Sequence, residues 1–494
     1  MRKALDRQRR LDCPSVTKVS LNINCRNETI PILRGLQHIY GTPKVRDAIL
    51  ESIARDVNGK SSAKHGRPGL SYWEILVLAA ARLGCGYDYD QLQDLAENHR
   101  ALRQVMGIGD WESEEKDKTR FDWRRIESNV NLLRPETVEE INQAIVEEGH
   151  RLEPKAAQTV RGDSFVVETN IHYPTDSSLI ADGLRKVLGI ALMLAGLFGL
   201  NGWRQHKHLY RKARRLVRKI ERIAARKGDG YQERMKKPYR ELLDVAEMLL
   251  TRADTLRETV QKYGTFSSAE TLALDKELET FVKRTRQVCD LARRRVLEGE
   301  TIPNHEKLFS IFETHTQLYK RGKAGEPMQF GRLALVYEDG AGFITHYYIL
   351  PRDQGDRDVV VDQTRAVQKR HQGKIRRGSF DRGFHSPEIQ KALAEILEHP
   401  CLPMPGSKQA AQQEKTASVE FRNARQAHPG VESAIGALQS GNGLKRCRDR
   451  SERGLERYIG LGVLGRNLHV LGKLLIAREA PHSQAAYSRR KQVA

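Results

Sequence analysis

Residues Arg161–Gly183 read RGDSFVVETNIHYPTDSSLIADG. The run GDSFVVET is rich in aromatic and β-branched residues, so a β-strand is expected with Asp163 at its head. The stretch also holds Glu168, Asp176 and Asp182, in a chain whose Lys and Arg outnumber its acids 84 to 63. An acid opening a buried strand is costly unless positive charge meets it. The strand therefore calls for a cationic partner.

The whole chain sets the context. It has 494 residues, too many for one ordinary core, so two to four domains are expected. Its formal net charge is +21, and its sequence pI is near 9.7. Such an excess of positive charge points to a polyanionic partner, here nucleic acid. Six cysteines stand apart with no C-x-x-C pair, which indicates neither a zinc knuckle nor a disulfide framework and suits a reducing compartment. The opening MRKALDRQRRLD leads to no apolar segment of a secretory signal. The most apolar run, Val187–Leu200, is shorter than a membrane span and reads as a buried helix, so no membrane partner is expected.

Residues 1–60 carry short periodic pieces and are expected to form a helical arm. Ser61–Gly69 (SSAKHGRPG) reads as a linker. Ser71 and Glu74 then make the S-x-x-E signature of a helix start. Gly84-Cys85-Gly86 ends that helix, and two more follow, one with Leu92, Leu95 and Ala96 and one with Leu102, Val105 and Met106. Three short helices around a glycine turn resemble a helix-turn-helix, so 61–150 is expected to be a helical DNA-binding domain. Residues 184–305 repeat apolar positions at steps of three and four, as in Leu242, Ala246, Leu249, Ala253, Leu256 and Val260, and are expected to form three long antiparallel helices. Fifteen Lys and Arg between Arg204 and Arg240 give one of them a cationic face; Arg211, Arg215, Arg218 and Arg222 are its expected phosphate contacts. Beyond 325 the period changes. Arg332–Tyr337 and Phe343–Leu350 read as strands joined by the turn Glu338–Gly342. Then come a helix at Val359–Lys369, a polar strand ending at Asp381, a helix at 386–397, a short strand at Cys401–Pro403, and helices near 418–440 and 454–478. Without the helical block, 151–183 and 306–494 make one α/β catalytic domain, a small mixed sheet flanked by helices.

Three acids stand out by position. Asp163 heads a strand, Asp381 ends one in GSFDRGFHS, and Glu432 lies on a helix in HPGVESAIGALQ. Three converging carboxylates repel one another unless they hold divalent cations. Mg²⁺ takes hard oxygen ligands, and an ion pair can activate a water or 3′-hydroxyl for in-line attack on a phosphodiester. Glu168 and Asp176 are the rivals of Asp163 as ligand.

The blocks VVETNIHYPTDSSL, SIFETHTQLYKRGKAGEPMQFG, FDRGFHSPE, VESAIGAL, GLKRCRDR and GLERYIGLGVLGRNLHVLGKL resemble those of bacterial insertion-sequence transposases of the DDE type, in particular the unclassified (ISNCY-like) group. The resemblance runs from the helical module at 66–106 to about residue 478. It implies a ribonuclease-H-like catalytic domain whose D, D, E triad falls on Asp163, Asp381 and Glu432. It further implies two Mg²⁺ ions, with Mn²⁺ able to substitute, double-stranded DNA as partner, a homo-oligomer that processes two DNA ends together, and a bacterial cytoplasmic location on DNA. Ser164-Phe165 stand where the family has Thr-Thr. The pattern Y-x2-R-x3-E-x6-K of related transposases falls on Arg425, His428, Glu432 and Gln439, so Arg425 and His428 are expected to hold phosphate. A catalytically inactive DNA-binding derivative and a nuclease without strand transfer are the alternatives.

Other signals carry less. Gly460–Gly465 matches G-x-G-x-x-G, but the chain nearly ends there, and a close-packed helix explains it better than a dinucleotide site. His206 and His208 belong with the basic face, and His172 and His385 with the walls of the acid site.

Overall fold

The computed structural model describes residues 3–5, 11–59, 69–109, 121–226, 228–262, 268–320 and 327–493. The linker expected at Ser61–Gly69 lies, but for Gly69, outside the described residues. The chain divides into two compact units, one of residues 1–170 and 332–494 and one of 171–331. The second is thus wider than the helical insertion expected at 184–305.

The first unit contains a sheet framed by helices. β1 (Thr159–Glu168) is its central strand. β3 (Met328–Asp339), which enters from the second unit, pairs antiparallel with β4 (Ile344–Ile349). β1 lies between β3 and β5 (Arg377–Phe380), and β5 pairs with β6 (His399–Cys401), so the order is β4-β3-β1-β5-β6. β1, β5 and β6 run parallel. Gly340 donates its N–H to the Ala156 carbonyl, so the end of β3 lies by the start of β1 and the two are antiparallel. The fold is α/β with a mixed sheet. The short last strand is His399–Cys401 rather than Cys401–Pro403, and Asp163 sits in the middle of β1 rather than at its head. Thr159 and Val160 already pair with Arg377 and Gly378, extending β1 towards its N-terminus.

The N-terminal helices share a hydrophobic core with the sheet. Helix Tyr72–Gly84, capped by the reciprocal Ser71–Glu74 box, is buried at all thirteen positions. It packs with helix Thr29–Gly41 against the terminal helix Glu452–Val493. Glycines make that packing close: a Cβ at Gly465 would lie 2.4 Å from Gly84 Cα, and one at Gly35 would lie 2.6 Å from the Leu468 carbonyl oxygen. The G-x-G-x-x-G stretch is therefore a helix-packing surface, as its sequence position implies. Buried Asn467 on the same helix accepts the Ile344 N–H at 2.8 Å and so holds the β4 edge. One core thus joins residues expected to form an arm (1–60), a DNA-binding domain (61–150) and a catalytic domain. The second and third helices of the expected module are Tyr89–Asn98 and Arg100–Val105.

The second unit is built on four helices, Asp176–Leu197, His206–Arg226, Tyr231–Lys262 and Ala269–Ala292, where three were expected. The additional one starts at Asp176 because Thr175 and Ser178 cap it reciprocally, and it contains most of the apolar run Val187–Leu200. The seam Leu242, Ala246, Leu249, Ala253, Leu256 and Val260 is buried throughout. β2 (Gln317–Lys320) then pairs antiparallel with Met328–Gly331, the opening of β3.

Candidate functional site

The parallel register of β1 and β5 runs Thr159↔Arg377, Val160↔Gly378, Arg161↔Ser379 and Gly162↔Phe380. The next residues in each strand direction are Asp163 and Asp381. Adjacent strands lie about 4.8 Å apart, so the two acids are neighbours on one face of the sheet. Each is half-buried, and each carboxylate accepts the following backbone N–H at 2.7 Å, from Ser164 and from Arg382. Asp381 closes its strand and caps the short turn Arg382–Phe384.

The same face is covered by helix Pro429–Ser440. Two residues before Asp163, Arg161 donates to the Ala427 carbonyl at 3.0 Å, and its guanidinium fills the space beside Gly430. Two residues before Asp381, Ser379 Oγ lies 3.1 Å from His428 Nδ1, both side chains being buried. The helix therefore begins over the Arg161–Ser379 pair. Its far end reaches a groove of about 580 Å³ whose wall includes Glu168, Gln439, Lys445 and Arg446. Helix and β1 thus run in the same direction. Glu432 is one turn beyond His428, an advance of about 6 Å. Asp163 and Asp381 are two strand residues beyond Arg161 and Ser379, about 6.6 Å. Glu432 lies exposed in the first turn of this helix. Among the described residues no three His, Cys, Asp or Glu side chains close on a common point.

The helix expected over 418–440 is broken into Val419–Ala427 and Pro429–Ser440. Proline at 429 lacks an N–H and so begins a helix rather than continuing one. The break is what sets Glu432 in a first turn, where a helix N-terminus favours negative charge.

The other acids of the opening stretch have their own bases. Glu168 pairs with Arg446 at 3.2 Å, Asp176 with Arg295 at 2.5 Å and Asp182 with His172 at 2.7 Å. His172 is thereby engaged by Asp182, and His385 meets Gln390 at 3.2 Å. His428, expected to hold phosphate, is only 2% exposed; burial first, then the positive charges of Arg425 and Arg161, hold its imidazole down to about 4, against the pull of Asp381. It is a neutral wall residue, because the helix break turns it onto Ser379. Arg425 is half-buried. Arg211, Arg215, Arg218 and Arg222 all lie exposed along helix His206–Arg226.

Sequence reasoning missed Arg161 and Glu338. Arg161 reaches Glu338 at 2.8 Å and the Asp339 carbonyl at 2.9 Å, joining β1, β3 and the start of the glutamate helix. The one basic residue on the strand, two positions before Asp163, was the available signal. Glu338 is nearly inaccessible, and burial pushes its carboxyl up to about 7 despite Arg161 and Arg466.

Comparison of the chain with protein-family models, with curated proteins and with solved structures finds no match. All six cysteines are free thiols. Among the described residues one helical stretch, Glu452–Glu479, is long and apolar enough to cross a membrane, and 78% of its most apolar window is buried inside the protein.

Proposed function

We propose that the chain is a DNA transposase of the DDE type, which cuts at the ends of its own element and joins the freed 3′-hydroxyls to target DNA. The observation that carries this reading is the pair Asp163 and Asp381, adjacent on one sheet face beneath the helix of Glu432. A mixed sheet with β1 set between an antiparallel hairpin and two parallel strands, framed by helices, is compatible with the ribonuclease-H-like fold that the family resemblance implies.

The donor set fits hard divalent cations: three carboxylates and no thiolate. Asp163, Asp381 and Glu432 would hold two Mg²⁺ or Mn²⁺ ions, which supply activation of the attacking oxygen and stabilisation of the leaving one. The chain's own residues prepare the place. The β1–β5 register fixes the spacing of the aspartates. Arg161 and Ser379 anchor the start of the helix that bears Glu432, which would supply the third carboxylate. His428, neutral and buried, adds no charge that would compete for the carboxylates. The exposed arginines of helix His206–Arg226 provide a cationic stripe for the DNA backbone, and a homo-oligomer would bring two ends together.

The test uses purified protein, labelled DNA bearing the element's termini, and Mg²⁺ or Mn²⁺. Wild type should release 3′ ends and form joined products, EDTA should stop both, and Asp381→Ala should bind DNA normally without cutting. Nicks without joined products would indicate a nuclease. Binding without cutting by the wild type would indicate an inactive derivative. Equal loss of binding and cutting in Asp381→Ala would remove the role assigned to that residue.

A further inference from the structure

On the other side of the sheet from the aspartates lies a cavity of about 670 Å³, walled by helix Pro135–Leu152, β4 and the turn after helix Asp356–Arg370. Its position follows from strand alternation. Glu338 faces Arg161 on the aspartate side, so Asp339 faces the opposite way. Asp339 is fully buried; one carboxylate oxygen accepts the N–H groups of Ala341 and Phe343, and the other lies 2.7 Å from His150 Nε2. That contact fixes the His150 ring, which also meets Phe343 edge-on. The His371 ring is centred 5.1 Å from it.

The charges of the wall are uneven. Arg370 is paired with Glu139, and Arg151 with Glu148 at 2.8 Å. Lys374 is exposed at the rim and, among the described residues, has no ion pair. Among the described residues Glu147 is the one carboxylate lining the wall. Burial first, and then the neighbouring His150, Arg370 and Lys374, hold the His371 imidazole down to about 4. Arg151, Arg370 and Lys374 outnumber Glu147 around a concave space. Clefts lined by one sign of charge concentrate counter-ions. The volume suits a small organic molecule rather than a single ion.

We propose that this cavity binds a small organic phosphate, with Lys374 and His150 receiving the phosphate and His371 forming the floor. The site is independent of the aspartate pair and does not rest on the transposase reading.

Full-length protein in a low-salt buffer free of phosphate would be titrated with adenosine monophosphate, inorganic phosphate and adenosine, following the melting temperature and the NMR signals of labelled histidines. Adenosine monophosphate should raise the melting temperature and shift two histidine signals, which His150→Gln and His371→Gln assign; adenosine should do neither. Lys374→Ala, a change at an exposed position, should weaken binding roughly tenfold, as loss of one charge-assisted hydrogen bond would. Asp381→Ala should bind like wild type. Stabilisation by phosphate alone, with no gain from the nucleoside, would still support a phosphate site and narrow its ligand. Stabilisation undiminished in Lys374→Ala, or unaccompanied by shifts of His150 and His371, would overturn the proposal, since the anion would then sit elsewhere on this basic protein.

Discussion

Asp163 and Asp381 are the first residues beyond the last pair, Gly162↔Phe380, of two neighbouring parallel strands. Two carboxylates in that relation repel until a cation lies between them. Without divalent metal, Asp381→Asn should therefore be more stable than wild type, by about 0.2–1 kcal/mol, the scale of like charges on adjacent strands. Mg²⁺ should raise the wild-type melting temperature and leave that of the variant unchanged. A variant less stable than wild type in EDTA would mean that the two acids do not share a site.

Glu338 gives stability a pH dependence of unusual sign for a carboxylate. Its folded value, about 7, lies above the unfolded 4.5, so the folded state holds the extra proton between those limits. Stability from this group is full below about 4.5 and declines as pH rises through 7. Glu338→Gln should flatten that decline in urea titrations at several pH values. Arg161→Ala should steepen it and cost about 1–3 kcal/mol at pH 7, because a buried carboxyl loses its nearer guanidinium and the Ala427 carbonyl its donor. An unchanged pH profile in Glu338→Gln would refute the assignment.

Two helical glycines should respond oppositely to alanine. At Gly465 the new Cβ would meet backbone, 2.4 Å from Gly84 Cα, and neither helix can yield locally. A loss of about 1–3 kcal/mol is expected from overpacking. At Gly436, on the glutamate helix, a Cβ meets nothing within 4 Å, so alanine should stabilise by about 0.5–1 kcal/mol. Chemical denaturation of both variants decides it; a neutral Gly465→Ala would mean that the terminal helix is not so closely seated.

The cationic stripe makes a claim about salt. Replacing Arg211, Arg215, Arg218 and Arg222 by alanine should weaken DNA binding and flatten its dependence on salt, by up to about 0.9 in logarithmic slope for each phosphate left without a cation. Helix content should persist, because the seam residues Ala213, Val217 and Ile220 stay buried. A slope equal to that of wild type would place the DNA elsewhere.

What the sequence made legible was what depends on local pattern. The hairpin of β3 and β4, the capped start at Ser71, the heptad-like seams and the end of β5 before Asp381 all follow from periodicity and turn residues. The block of helices was visible, and the apolar run Val187–Leu200 read as a buried helix, but the start of that helix at Asp176 was not, because its cap lies in the polar stretch Thr175–Ser178. The shared core was illegible for a different reason: Gly35, Gly84 and Gly465 are ordinary helical residues until three distant helices are brought backbone to backbone. At the site, the three acids could be picked by position, whereas Arg161 and Ser379, which fix the helix above them, matter only through partners more than 40 residues away. His428 shows the converse. Its place beside Glu432 suggested a surface role, and only the break at Pro429 reveals that it turns inward.

The sheet's long-range pairing also bears on how the chain is made. Thr159 pairs with Arg377, more than 200 residues later, and the compact unit 171–331 is synthesised in between. At about 5–20 residues per second, β1 waits roughly 10–40 s on the ribosome for its parallel partner. Until the β3–β4 hairpin emerges, Phe165, Val166 and Val167 have no sheet to enter. The intervening unit can fold from its own local helix packing before β5 exists, which shortens the loop of loose chain between β1 and β3. A helical insertion between two adjacent strands thus doubles as a timing device, narrowing the search that the central strand must make.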